Sequence, residues 1–189
     1  VAALMAQAGD TPLLFTNIVG SRMEAVTNIC ASRELVALGL DCNPSEIMQR
    51  IATAGDAQAE VPRAEATGYR EVEPTLAGLP ILTHQKFDGG PYIASAIAAA
   101  HDGEHGLNLS YHRGMKLDDR RMVLRILPRN LEAYRQRGLK EFAFCNGVSV
   151  PVLLGAATSF GIEMDEMAIA NALGAAPLIE VGGHTVPQS

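Results

Sequence analysis

The chain has 189 residues and a net charge of -6, with 48% hydrophobic and 19% charged side chains. That length and balance suit one medium domain, or one domain with a smaller unit beside it, and argue against disorder. An acidic chain of pI near 5.3 has no general attraction for nucleic acid or an anionic membrane surface, and no apolar run approaches the ~20 residues of a membrane span.

Cys30, Cys42 and Cys145 are far apart and form no CxxC pair, so neither a disulfide framework nor a zinc knuckle is expected. A reducing, cytoplasmic setting fits. The start, VAALMAQAGD, lacks the basic segment of a signal peptide. Both ends read as cut from something longer.

VAALMAQAG reads as the end of a helix closed by Gly9, and TPLLFTNIVG as an apolar strand. NICASRELVALGLD places Ile29, Leu35, Val36 and Leu38 at helical spacing and closes at Gly39. NPSEIMQRIATAG is a second short helix, with Ser45 as its expected cap, Glu46 in its first turn and Gly55 at its end. Residues 56–75 are polar, aperiodic and rich in Ala, Glu and Pro, the composition of a linker or long loop. From Leu76 the pattern changes to strand-like runs broken by DGG, DGEHG and KLDD, which suggests an antiparallel meander or barrel. PRNLEAYRQRG then reads as a helix. FAFCNGVSVPVLLGAATS starts as a strand and becomes an apolar helix, DEMAIANALGAAP is a helix opened by acidic residues, and PLIEVGGHTVP is a strand turning at Gly182–Gly183.

Candidate chemistry concentrates in EHGLNLSYHRGMKLDDRR. Leu107, Leu109 and Tyr111 alternate with Asn108, Ser110 and His112, the period of a half-buried strand whose polar face carries an amide, a hydroxyl and an imidazole. Arg113 adds a rigid fork suited to carboxylate or phosphate. In a regular strand Asn108 and Arg113 face opposite sides, so a shared site requires a bulge or strand end near His112. The basic group Arg113, Lys116, Arg120, Arg121 and Arg125 is either a solvated strand edge or an anion site. Asp88-Gly89-Gly90-Pro91 is a tight turn in which the glycines are expected to supply positive φ, and it either is structural or lines a pocket. Glu163, Asp165 and Glu166 either complement a helix dipole or hold a divalent cation against phosphate. His101 and His105 read as surface loop, and His84 and His184 are isolated.

At LLFTNIVGSRMEAVTN, LPILTHQKFDGGPYI, GLNLSYHRGM and FCNGVSVPVLLGAATS the chain resembles the UbiD-type decarboxylases, which use prenylated FMN. Four separated motifs in order carry the resemblance over almost the whole chain. It implies an α+β fold: a small α/β segment and linker over residues 1–75, the end of an N-terminal domain, then a split β-barrel flavin-binding domain with inserted helices over 76–189. It also implies nonoxidative (de)carboxylation of an unsaturated or aromatic acid, a prenylated FMN cofactor supplied by a flavin prenyltransferase, Mn²⁺ or Mg²⁺, and K⁺ as a further ion. By the same resemblance, Arg113 contacts flavin and substrate carboxylate as the catalytic arginine. Asn108, Ser110, Tyr111, His112, Thr158 and Ser159 join it around the cofactor.

For the metal, the resemblance points to Asn108. It also points to Asn130, which stands in PRNL where the family has His, and to Asp165 counted back from Gly174, with Glu166 one residue off. The family's catalytic GE…E segment does not occur before Ser189. The chain is therefore expected to be a fragment, a subunit completed by a partner that carries the C-terminal domain, or a homologue without decarboxylation; a homo-oligomer or hetero-complex is expected. Two rivals stand beside the enzyme reading: a non-catalytic scaffold or regulatory subunit with a degenerate metal site, and an ordinary flavin-binding split-barrel protein.

Overall fold

The structure, a computed structural model, describes residues 1–56, 60–158 and 164–188. Helix α1 (Ala2–Ala8) leads into an antiparallel pair, β1 (Leu13–Phe15) and β2 (Ala25–Thr27). Helix α2 (Arg33–Gly39) is capped by Ser32, whose hydroxyl accepts the Leu35 N–H at 3.3 Å. Helix α3 (Ile47–Ala54) starts differently from expectation: Ser45 provides no cap and Glu46 holds the N-terminal position. The Glu46 carboxylate folds back to accept both the N–H and the Nδ2 of Asn43, each at 3.1 Å.

Between α3 and β3 (Tyr92–Ile93) the described residues form no helix or strand, only bridges such as Arg63 to Leu178. The turn before β3 forms without left-handed glycines, because neither Gly89 nor Gly90 has positive φ. Asp88 holds it instead, accepting the N–H groups of His84 and Gln85 at 3.1 and 2.8 Å.

Strand β4 (Ile97–Asp102) pairs antiparallel with β5 (Gly106–Tyr111) on one side and β8 (Ala143–Cys145) on the other. A second sheet joins β3, β6 (Gly114–Lys116) and β7 (Met122–Leu124), and β9 (Leu178–Val181) forms a hairpin with β10 (His184–Pro187). Among the described residues the strands make four small antiparallel sheets and close no barrel; the α+β class stands. The break is local. Strand β5 ends at Tyr111, His112 and Arg113 leave the ladder, and the chain enters another sheet at Gly114. A Cβ on Gly114 would lie 2.2 Å from the Met122 sulfur, so the re-entry point accommodates no side chain without Met122 moving.

The three-stranded sheet β5-β4-β8 is covered on both faces. Ile97, Ala99 and Leu109 pack against Val152 and Ala156 of α5 (Val150–Ala157) and Met167 and Ala170 of α6 (Glu166–Leu173). Ala98 and Ala100 pack on the other face against Leu131 and Tyr134 of α4 (Asn130–Gln136). The far side of α6, through Ile169 and Leu173, meets Ala37, Leu40 and Ile47 of the N-terminal helices and their connection. Helices α5 and α6 approach so closely that a Cβ on Gly155 would lie 2.6 Å from the Glu166 carbonyl oxygen. That contact seats the first turn of α6 beside β5.

Candidate functional site

Strand β5 is an edge, so its outer backbone groups lack a neighbouring strand. The Glu166 carboxylate takes that place. Its Oε2 accepts the Leu109 N–H at 3.2 Å and its Oε1 accepts Asn108 Nδ2 at 3.0 Å. Both side chains are buried, Asn108 at 3% exposure and Glu166 at 7%. The cross-strand partners of Asn108 and Ser110 are Ala100 and Ala98.

Next along that face, the Ser110 hydroxyl lies 3.2 Å from Asn108 Oδ1 and 3.1 Å from His112 Nε2. His112 Nδ1 lies 3.2 Å from the Arg125 carbonyl oxygen. Because β5 stops at Tyr111, Arg113 escapes the alternation and lines the same cavity of about 780 Å³ as Asn108, Ser110, Tyr111 and His112. Asn130, at the start of α4, Thr158, at the end of α5, and Glu166 also line it. The size falls within the roughly 300–1,000 Å³ of typical ligand pockets.

The other expected residues distribute as follows. Asp165 is exposed and does not line the cavity; its Oδ1 caps α6 by accepting the N–H groups of Met167 and Ala168. Ser159 and Glu163 lie outside the described residues. Tyr111 anchors its ring edge by donating its hydroxyl to the Leu153 carbonyl. The Asp88–Pro91 turn does not line the cavity. The basic group divides: Lys116 and Arg121 pair with Asp119 and Asp118, while Arg113 and Arg125 face the cavity. Arg113 makes no ion pair among the described residues and sits 6.0 Å from the centre of the Tyr92 ring. His101 lies in β4, and His105 stacks on Tyr134 with ring centres 6.4 Å apart.

Arg129 and Leu127 are cavity residues that sequence reasoning missed. The signal was present, since Arg125, Leu127 and Arg129 alternate along an extended stretch between β7 and α4. Three guanidinium groups on one cavity favour an anionic ligand.

Burial pushes the Glu166 carboxyl up to about 7, with neighbouring Asp165 adding to the rise and the Leu109 and Asn108 hydrogen bonds opposing it. Among the described residues no cation pairs with this buried carboxylate. Glu166 and Asn108, with Asn130 lining the same cavity, carry side-chain oxygens of the kind a hard divalent cation such as Mg²⁺ or Mn²⁺ takes.

Fold and cavity together define an α+β domain with a ligand-sized cavity, lined by arginines and by the buried Asn108–Glu166 pair, along an edge strand. The family model described as 3-octaprenyl-4-hydroxybenzoate carboxy-lyase Rift-related domain matches residues 56–188, and that for the N-terminal domain of the same carboxy-lyase matches residues 1–55. The chain belongs to the UbiD family.

It is 36% identical over 166 residues to an anhydromevalonate phosphate decarboxylase of Methanothermobacter thermautotrophicus, covering 84% of this chain and 39% of that relative. A dimeric form of the UbiD-class enzyme HmfF from Pelotomaculum thermopropionicum, in complex with prFMN, superposes with a TM-score of 0.88 at 31% identity, covering 98% of this chain and 48% of that one. The vanillic acid decarboxylase of Sedimentibacter hydroxybenzoicus shares the fold, with a TM-score of 0.81 at 21% identity over 98% of this chain and 45% of that one. The chain thus spans less than half the length of these relatives.

Proposed function

We propose that this chain is the flavin-binding portion of a UbiD-type nonoxidative (de)carboxylase acting on a small unsaturated or aromatic carboxylic acid. One observation carries the reading: Asn108, Glu166 and Arg113, separated in sequence, meet on one cavity of ligand size. The flavin-bound relatives support prenylated FMN as its occupant.

Asn108, Glu166 and Asn130 would hold Mn²⁺ or Mg²⁺, whose charge would offset that of the cofactor phosphate in this buried place. Glu166, rather than Asp165, is the carboxylate ligand, because Asp165 is engaged in capping α6. Prenylated FMN, when bound, supplies the electron sink for loss of carbon dioxide. Arg113 supplies a bidentate donor that holds the substrate carboxylate in register with the flavin and excludes other orientations. The acid that protonates the product carbon is supplied from outside this flavin-binding portion, by the same protein or by a partner subunit. A split-barrel arrangement of the complete flavin domain, oligomerisation and supply of cofactor by a flavin prenyltransferase belong to this same reading. Glu166 buried against Asn108 favours it over a scaffold with a decayed metal site.

The test is co-expression of the full-length protein with a flavin prenyltransferase, followed by the visible spectrum and mass spectrometry of extracted flavin. Bound prenylated FMN supports the proposal. Bound FMN alone under those conditions supports the ordinary flavoprotein reading, and colourless protein that takes up neither flavin ends the proposal.

A further inference from the structure

The hydrogen-bond chain behind Asn108 has a direction, and that direction bears on the cation site. The Arg125 carbonyl oxygen can only accept, so His112 Nδ1, 3.2 Å away, carries a proton. In a neutral imidazole the other nitrogen, Nε2, is then an acceptor. Ser110 Oγ, 3.1 Å from Nε2, has one proton to give. If that proton goes to Asn108 Oδ1 at 3.2 Å, Ser110 Oγ and His112 Nε2 face each other with lone pairs only.

The conflict disappears when the Asn108 amide is turned over. Ser110 then donates to His112, Asn108 Nδ2 donates to Ser110, and Asn108 Oδ1 faces the Glu166 carboxylate. Two oxygens about 3.0 Å apart in a buried place repel when Glu166 is ionised, unless a cation lies between them.

We infer that Ser110 and His112 are positioning residues: anchored on the Arg125 carbonyl, they hold the Asn108 amide with its oxygen beside Glu166 and so preorganise a divalent-cation site. This rests on the flavin-and-metal reading of the cavity and adds what fixes the amide. Without the relay, Asn108 is released to donate Nδ2 to Glu166, a charge-assisted hydrogen bond that an entering cation must first break.

The experiment titrates Mn²⁺ into the full-length protein with saturating FMN and follows free Mn²⁺ by electron paramagnetic resonance. The unsubstituted protein binds Mn²⁺. Ser110→Ala weakens binding roughly tenfold or more, the equivalent of one lost charge-assisted hydrogen bond. Ser110→Thr keeps the hydroxyl and restores the affinity. His112→Leu frees the Ser110 proton and reproduces the loss, and the double variant is no weaker than Ser110→Ala alone. In an Asn108→Asp background the side chain presents oxygen in either direction, so adding Ser110→Ala changes nothing there.

Undiminished Mn²⁺ affinity in Ser110→Ala overturns the inference while leaving the cation site intact. So does an equal loss in Ser110→Thr or in the Asn108→Asp background, either of which would mark Ser110 as merely structural. If Ser110→Ala does not fold, His112→Leu is read in its place, and unchanged affinity there overturns the inference equally. Failure of the unsubstituted protein to bind Mn²⁺ defeats the cation site itself.

Discussion

Glu166→Gln should stabilise the metal-free protein strongly at pH 8 and much less at pH 5. Burial, the largest cause, sets the Glu166 carboxyl at about 7 in the folded protein against 4.5 in the unfolded chain. At ~1.4 kcal/mol per pH unit, that gap is worth about 3 kcal/mol. The folded state holds the proton more tightly than the unfolded state. Its contribution is therefore fully present below pH 4.5 and is lost as pH rises through about 7. About 2.5 kcal/mol of the loss falls between pH 5 and pH 8.

A neutral amide at this position escapes the penalty. It still accepts the Leu109 N–H through its oxygen, and its nitrogen donates to Asn108 once that amide turns its oxygen toward it. The half-buried Asp102 and Glu132 titrate below the window, because hydrogen bonds from Arg137 and Arg135 hold them down at about 2. The assay is urea denaturation of both proteins in chelator at several pH values from 5 to 8, read as the difference between the two stability curves. Curves that run parallel across the range would refute the reasoning, since Glu166 would then carry its charge without penalty.

Gly155→Ala places a methyl group 2.6 Å from the Glu166 carbonyl oxygen; separating α5 from α6 should cost about 1–3 kcal/mol by thermal or urea unfolding. Asp165→Ala should cost about 1 kcal/mol as a lost helix cap yet leave Mn²⁺ binding in place, and loss of Mn²⁺ from a folded Asp165→Ala protein would transfer the ligand role to Asp165. Arg113→Ala should abolish turnover by the complete enzyme with the circular dichroism spectrum unchanged; undiminished turnover means that Arg113 does not hold the substrate. Asn108→Ala should lower metal and flavin occupancy together, measured by elemental analysis and absorbance, and unchanged flavin occupancy would remove Asn108 from the site.

Sequence pattern alone located most elements because their signals are local. The period-2 face of Asn108, Ser110 and His112, the acidic start of α6 and the DGEHG turn between β4 and β5 each depend on a few neighbouring residues. Arg113 joins that face only on a condition, and the end of β5 at Tyr111 supplies it. The choice between Asp165 and Glu166 was illegible for a physical reason. Adjacent carboxylates at a helix start look alike in sequence, and only the packing of α6 decides that the first caps the helix while the second is buried against Asn108. The connectivity of the sheets was equally hidden, because strand runs and turns do not state which edges pair. Ser45 misled because a good cap residue one position too early looks like a cap, whereas Glu46 and Asn43 had already satisfied each other.

The site also depends on residues far from the cavity. Asn108 and Glu166 are 58 positions apart, so their contact exists only while α6 is docked on the edge of β5. Helix α6 is fixed from two sides. Met167 and Ala170 pack toward the sheet, and Ile169 and Leu173 pack toward Ala37, Leu40 and Ile47. The docking must hold a carboxylate in a place where burial disfavours its charge. The apolar contacts on the far side of α6 offset that cost, because releasing Ile169 and Leu173 would expose side chains that are now 0% and 1% accessible. The N-terminal helices are thus part of what holds Glu166 in position. Truncating Ile47 or Leu40 should loosen the Glu166–Asn108 contact before it unfolds the sheet, since β4 and β5 also pack against α4 and α5.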